Sequence, residues 1–299
     1  MVDISAGTPA EPRIERRQGP RHVWFLNSAF DRIGMETALK RVSERAAEKP
    51  FAFVVTPNVD HLVRLESDTV LARLYAQAWL TVCDSRVLEL LGKLSGERIE
   101  VSPGSDMTQA LFEHHIDPEE TVAVIGGDAA VIEKVRQRYG LKDVRWHKPP
   151  MGLRDKPAAI AECARFVSVN KARFTFICVG SPQQELIAEA CLDRGDCTGV
   201  GLCVGASLDF LGGKAERAPV WMRKSRLEWL HRLASEPGRM WKRYLVDGPK
   251  IFFLWRRWKR ARRELAKLEK ALSSRHASRE RDLINRIREL EREISARTD

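Results

Sequence analysis

From His22 to Ala206 the chain alternates short apolar runs with segments of helical periodicity, and this alternation limits the available folds more than any other feature. The apolar runs are HVWFLN (22–27), FAFVVTPN (51–58), WLTVCDS (79–85), TVAVIGG (121–127), VRWHKPP (144–150), FTFICVG (174–180) and TGVGLCVGA (198–206). Between them, segments such as 61–78, 129–140, 158–170 and 184–195 repeat apolar residues three and four apart, each read as one helix. Short strands separated by amphipathic helices require crossover connections, and crossovers join parallel neighbours. The expected class is α/β, with a largely parallel sheet and helices on both faces.

A chain of 299 residues that is 43% hydrophobic can bury one large core. Its net charge of +10 is concentrated at one end. Residues 217–299 hold 24 Lys and Arg against 11 Asp and Glu, whereas residues 1–216 hold 27 against 30. A near-neutral body therefore precedes a cationic tail. The sequence divides into a polar leader (1–21), the α/β body (22–217), a basic Trp/Arg segment (218–250) and a helical extension (251–299). Within the extension, Leu283, Ile287, Leu290 and Ile294 are spaced as a short coiled-coil seam, so self-association competes with a solvated helix.

No apolar run nears the roughly 18 to 20 residues needed to span a bilayer, and the first residues lack a signal-peptide core. The expected location is the cytoplasm. The six cysteines form no C-x-x-C pair and read as buried thiols; the histidines show no metal spacing, and no metal is assigned.

Several strand ends carry groups suited to a ligand. Thr56 and Asn58 follow one strand and Asp84 follows the next, so the three converge if those strands are neighbours. Asp84 is a candidate general base; its other reading is a cap for the helix that follows, which Ser85 could supply equally well, and the residue types alone favour the cap. Gly126 and Gly127 form a strand–turn–helix that can present backbone N–H groups to a diphosphate, or serve only as a tight turn. The full G-x-G-x-x-G pattern is missing, which argues against a nicotinamide oxidoreductase. Gly180 and Ser181 open the SPQQE run, in which Gln184 is suited to bonding a sugar or base. Asp209 is a ligand or a buried structural carboxylate. Trp221, Trp229, Trp241, Trp255 and Trp258 lie among arginines in the tail, a mixture suited to lipid headgroups. Nucleic acid fits less well, because no nucleic-acid-binding motif surrounds them.

Taken in order, TPN (56–58), Asp84, PGSD (103–106), VIGGD (124–128), VGSPQQE (179–185), VGASLDFLGGKAERAP (204–219) and LEWLHRLASEPGRMWKRY (227–244) resemble the WecG/TagA/CpsF family of bacterial glycosyltransferases over roughly residues 22–250. The resemblance implies a Rossmann-like domain that moves a sugar from a UDP-sugar donor to a polyprenyl-diphosphate-linked sugar acceptor, with inversion, at the inner face of the cell membrane. It makes Asp84 the catalytic base. By position it makes Thr56 and Asn58 a pocket-lining pair and Gln184 the glutamine of the family's glycine-serine-proline motif, and it sets Arg232, Arg239 and Arg243 at the acceptor diphosphate; Gly126, Gly127, Gly180, Ser181, Asp209 and Arg217 are the further candidate substrate contacts. No cofactor is expected. The sequence departs from the family at Cys83 and Ser85 around the base, and at Val101, where an arginine is usual and Arg98 is the nearest substitute. A non-catalytic, membrane-associated nucleotide-binding scaffold acting through the C-terminal helix is the rival reading.

Overall fold

The computed structural model of the protein describes residues 22–215, 218–219, 222 and 228–295; the side chains of Glu228, Arg239, 274–284 and 286–295 lie outside that description. The expected leader and Arg217 therefore fall outside the described residues. The chain divides into two compact units at the Ile251–Phe252 junction.

The first unit is built on six parallel strands in the order β4-β3-β8-β7-β5-β6. These are β3 (Ala52–Val55), β4 (Leu80–Thr81), β5 (Thr121–Gly126), β6 (Asp143–His147), β7 (Phe174–Cys178) and β8 (Val200–Cys203). In β3 and β8 every residue is buried, as expected for strands covered by helices on both faces. Phe176 of β7 stacks on Phe112 with ring centroids 4.8 Å apart, tying the sheet centre to α5 (Gly104–His114). The helices α6 (Ala129–Arg138), α7 (Pro157–Asn170) and α8 (Gln183–Arg194) are the crossovers that the periodicity predicts.

Two local expectations change. The run at 22–27 does not join the parallel sheet; it forms an antiparallel hairpin of β1 (His22–Phe25) and β2 (Ser28–Asp31). The hairpin docks through Asp31, whose carboxylate accepts the Thr81 N–H at 2.8 Å. A side chain thus occupies a donor on edge strand β4, where another strand would otherwise bond. The stretch 61–78 is two helices, α2 (Val59–Leu65) and α3 (Thr69–Gln77), because Asp68 caps the second by accepting from Leu71 N–H at 3.0 Å.

At the end of β5, Gly126 has φ +84°, and a Cβ there would meet Val179 Cγ1 at 2.6 Å. Backbone conformation and close approach both require glycine. Gly126→Ala should cost about 1 to 3 kcal/mol. Urea denaturation would show a lower midpoint at unchanged slope, and an unaltered midpoint would contradict this account.

Candidate functional site

All six strands of the main sheet release their chains at one edge. After β3 come Thr56, Pro57 and Asn58; after β4 come Cys83 and Asp84. The Asp84 N–H donates to Pro57 O at 2.9 Å, pinning the two strand ends together. Cys83 pairs with Val101, and Ser102 N–H donates to Cys83 O at 2.7 Å, which lays the segment before α5 alongside. Thr56 is buried against Gly104, where an added Cβ would sit 2.9 Å from its Oγ1. The helix cap after β4 belongs to Ser85: its Oγ accepts Leu88 N–H at 3.3 Å at the start of α4 (Arg86–Lys93). The half-buried Asp84 thus stands one residue before the cap.

Asn58 caps α2, with Oδ1 accepting from Asp60 N–H at 3.1 Å and His61 N–H at 3.4 Å. His61 Nδ1 accepts the Asn58 N–H at 3.3 Å, completing a reciprocal capping box. Arg243 reaches the same strand end from a π-helical turn, Lys242–Asp247. Its Nη2 donates to Asn58 Oδ1 at 3.2 Å, and its Nε lies 3.5 Å from Asp60 Oδ2. Asp60 also pairs with Arg64 at 3.6 Å, and Arg64 donates to Ser181 O at 3.2 Å and Ser181 Oγ at 2.8 Å. One polar chain therefore joins the β7 turn, α2 and the basic segment.

Burial, with the positive charges of Arg243 and Arg64, pushes the His61 pKa down to about 3. The imidazole is neutral and free to accept. The unfolded chain takes up a proton near pH 6.5 and the folded one does not, so stability falls as pH drops from about 6.5 towards 3. Glutamine suits the third helical position of a capping box and does not titrate. His61→Gln should match the parent at pH 7.5 and lose less stability by pH 5; parallel thermal-melting curves for both proteins across that range would refute the assignment.

Gly127 shares the left-handed conformation of Gly126, with φ +75°. The Gly126 carbonyl accepts Trp146 Nε1–H at 2.8 Å, so that part of the turn is occupied internally. Asp128 caps α6 and pairs with Lys214 at 3.2 Å. The Asp209 carbonyl accepts the N–H groups of Lys214 and Ala215, which closes the GGK turn against the start of α6. Gln184 is buried: its Oε1 accepts Gly205 N–H at 3.0 Å and its Nε2 donates to Glu185 Oε1 at 2.9 Å. Glu185 is fully buried and also accepts from Tyr75 at 3.3 Å. Burial raises its pKa, opposed by Gln184, Ser181 and Arg64.

The structure thus brings Thr56, Asn58, Asp84, Gly126, Gly127, Gly180, Ser181, Gln184 and Asp209 to the strand-end edge and its turns. Arg243 joins Asn58 directly, and the Arg232 guanidinium lies 5.3 Å from the Phe210 ring centroid. Arg239 lies on a described helix, Pro237–Trp241, with its side chain outside the description. Sequence reasoning missed Asp60 and Arg64; it placed His61 at the strand end and Glu185 in a first helical turn without their present partners. The Asn-x-x-His spacing carried the capping signal for His61, whereas only the tertiary fold brings Arg64 to Ser181. Among the described residues no group of three His, Cys, Asp or Glu is placed to hold a metal ion. A protein-family model described as Glycosyl transferase WecG/TagA/CpsF family matches residues 23–265.

Proposed function

The chain belongs to the WecG/TagA/CpsF glycosyltransferase family, whose role is in cell-surface polysaccharide synthesis, and we propose that it is an inverting enzyme transferring a sugar from a UDP-sugar to a polyprenyl-diphosphate-linked sugar. The observation that carries this reading is the Asp84–Pro57 hydrogen bond, which holds a carboxylate-bearing residue beside Thr56 and Asn58 while Ser85 supplies the helix cap. Asp84 removes the proton from the acceptor hydroxyl as that oxygen attacks the anomeric carbon. The C1–O bond to UDP breaks on the opposite face, the configuration inverts, and UDP leaves with the bonding pair. The glycine turn at 126–127 and the arginines Arg232, Arg239 and Arg243 oppose the charge of the donor and acceptor diphosphates. The bonds from Arg243 to Asn58 and Asp60 support placing that cation beside the strand end that carries Thr56 and Asn58.

Asp84→Asn keeps the backbone contacts and removes the base. UDP release with a lipid-diphosphate sugar acceptor should fall by about 10² to 10⁴ while the thermal midpoint stays put. Turnover near that of the parent would defeat the mechanism.

No helix among the described residues is long and apolar enough to cross a membrane. Trp241, Leu245 and Val246 are nonetheless exposed, with Lys242 and Arg243 between them. Indole and alkyl groups set among cations suit a surface of anionic lipid headgroups. We therefore place the enzyme peripherally on the cytoplasmic face of the membrane, where its lipid-linked acceptor is found. Binding to phosphatidylglycerol vesicles should weaken with salt and drop further in the Trp241→Ser/Leu245→Ser variant. Equal co-sedimentation of the parent and variant would remove this surface from the account.

A further inference from the structure

The final helix, Lys250–Ser295, is 46 residues long, about 69 Å at 1.5 Å per residue. Along it Leu265, Leu268 and Leu272 are 52%, 62% and 56% exposed, far more than leucine at a helical seam tolerates without a partner. Trp258 and Ala261 precede them at spacings of three and four. By the same count the sequence continues through His276 and Arg279 to Leu283, Ile287, Leu290 and Ile294. From Trp258 onward the result is a narrow apolar stripe, interrupted at two positions, with charged residues beside it; before it, Phe252 and Phe253 are 49% and 74% exposed off that stripe.

From this stripe we infer that the helix pairs with the same helix of a second copy of the chain, as an antiparallel coiled coil centred on Leu272. The charges fix the direction. Residues 250–263 hold seven Lys and Arg and no acid, whereas residues 280–293 hold five Asp and Glu against four Arg. Parallel pairing would lay the cationic stretch on its own copy and set Arg279 against Arg279 in the seam. Antiparallel pairing opposes the cationic start to the acid-bearing end. It sets Ala261 by Leu283, Arg279 by Leu265 and His276 by Leu268, with Ile287 one residue beyond the position opposite Trp258. A membrane surface is the weaker occupant of the stripe, because from Trp258 onward it is only a seam wide and the five acids at the far end would be repelled by anionic headgroups.

Sedimentation velocity of the full chain without lipid, from about 1 to 50 μM, should show a dimer of the 34.0 kDa chain. Leu268→Asp/Leu272→Asp should weaken the dimer at least about tenfold. Lys267→Gln, off the stripe, should leave it intact. Orientation is read by cysteine pairs oxidised with glutathione disulfide: Ala261→Cys mixed with Leu283→Cys should crosslink, and Leu283→Cys alone should not. A monomer throughout that range, a dimer indifferent to the double aspartate variant, self-crosslinking at position 283, or a helix that associates only with vesicles would each overturn the proposal.

Discussion

Because the six strands of the main sheet run in one direction, every turn that follows a strand opens on the same edge, and the helices that start there have N–H groups without intrahelical partners. Those donors must be met within a few residues of each strand end. Asn58, Ser85 and Asp128 meet them for α2, α4 and α6, so the polar residues that crowd this edge are partly consumed in closing helices. Reading the site is therefore a matter of deciding which polar groups the fold has used. Ser85 uses its hydroxyl on the cap, and Gln184 uses both ends of its amide on Gly205 and Glu185. The Asp84 N–H is used on Pro57 O, which joins two strand ends.

The parallel sheet was legible because its signal is local: runs such as FTFICVG and TVAVIGG are short, rich in β-branched or aromatic residues and closed by glycine, the pattern of a strand covered on both faces. The hairpin at 22–31 was not, since an apolar run announces a strand without naming its neighbour, and the deciding contact joins Asp31 to Thr81, fifty residues away. The break between α2 and α3 was written in Asp68, a capping residue inside an otherwise helical pattern. At the site, strand-end residues were readable from position alone. The chain from Ser181 through Arg64 and Asp60 to Arg243 was hidden, because arginine reach is a tertiary property and each member by itself resembles a solvated surface charge.

Glu185 shows the limit of composition from the other side. In sequence it is an ordinary acid in the first turn of a helix, where charge is favoured by the helix dipole. In the fold it is fully buried between Tyr75 and Gln184, beneath the turn that carries Ser181. A carboxyl group in that position orders its neighbours at the cost of desolvation, so the turn above it is rigid where a purely apolar floor would let it shift.

On the proposed reading, in which Asn58 lines the substrate pocket, its double use bears on selectivity. Its carbonyl oxygen already receives two amide protons of α2 and one from the Arg243 guanidinium. What this side chain can offer a visitor is the NH₂ half, which only donates. A ring substituent that meets it must therefore present a lone pair, such as a carbonyl or ether oxygen or a hydroxyl accepting rather than giving. An incoming cationic amine would find no welcome there.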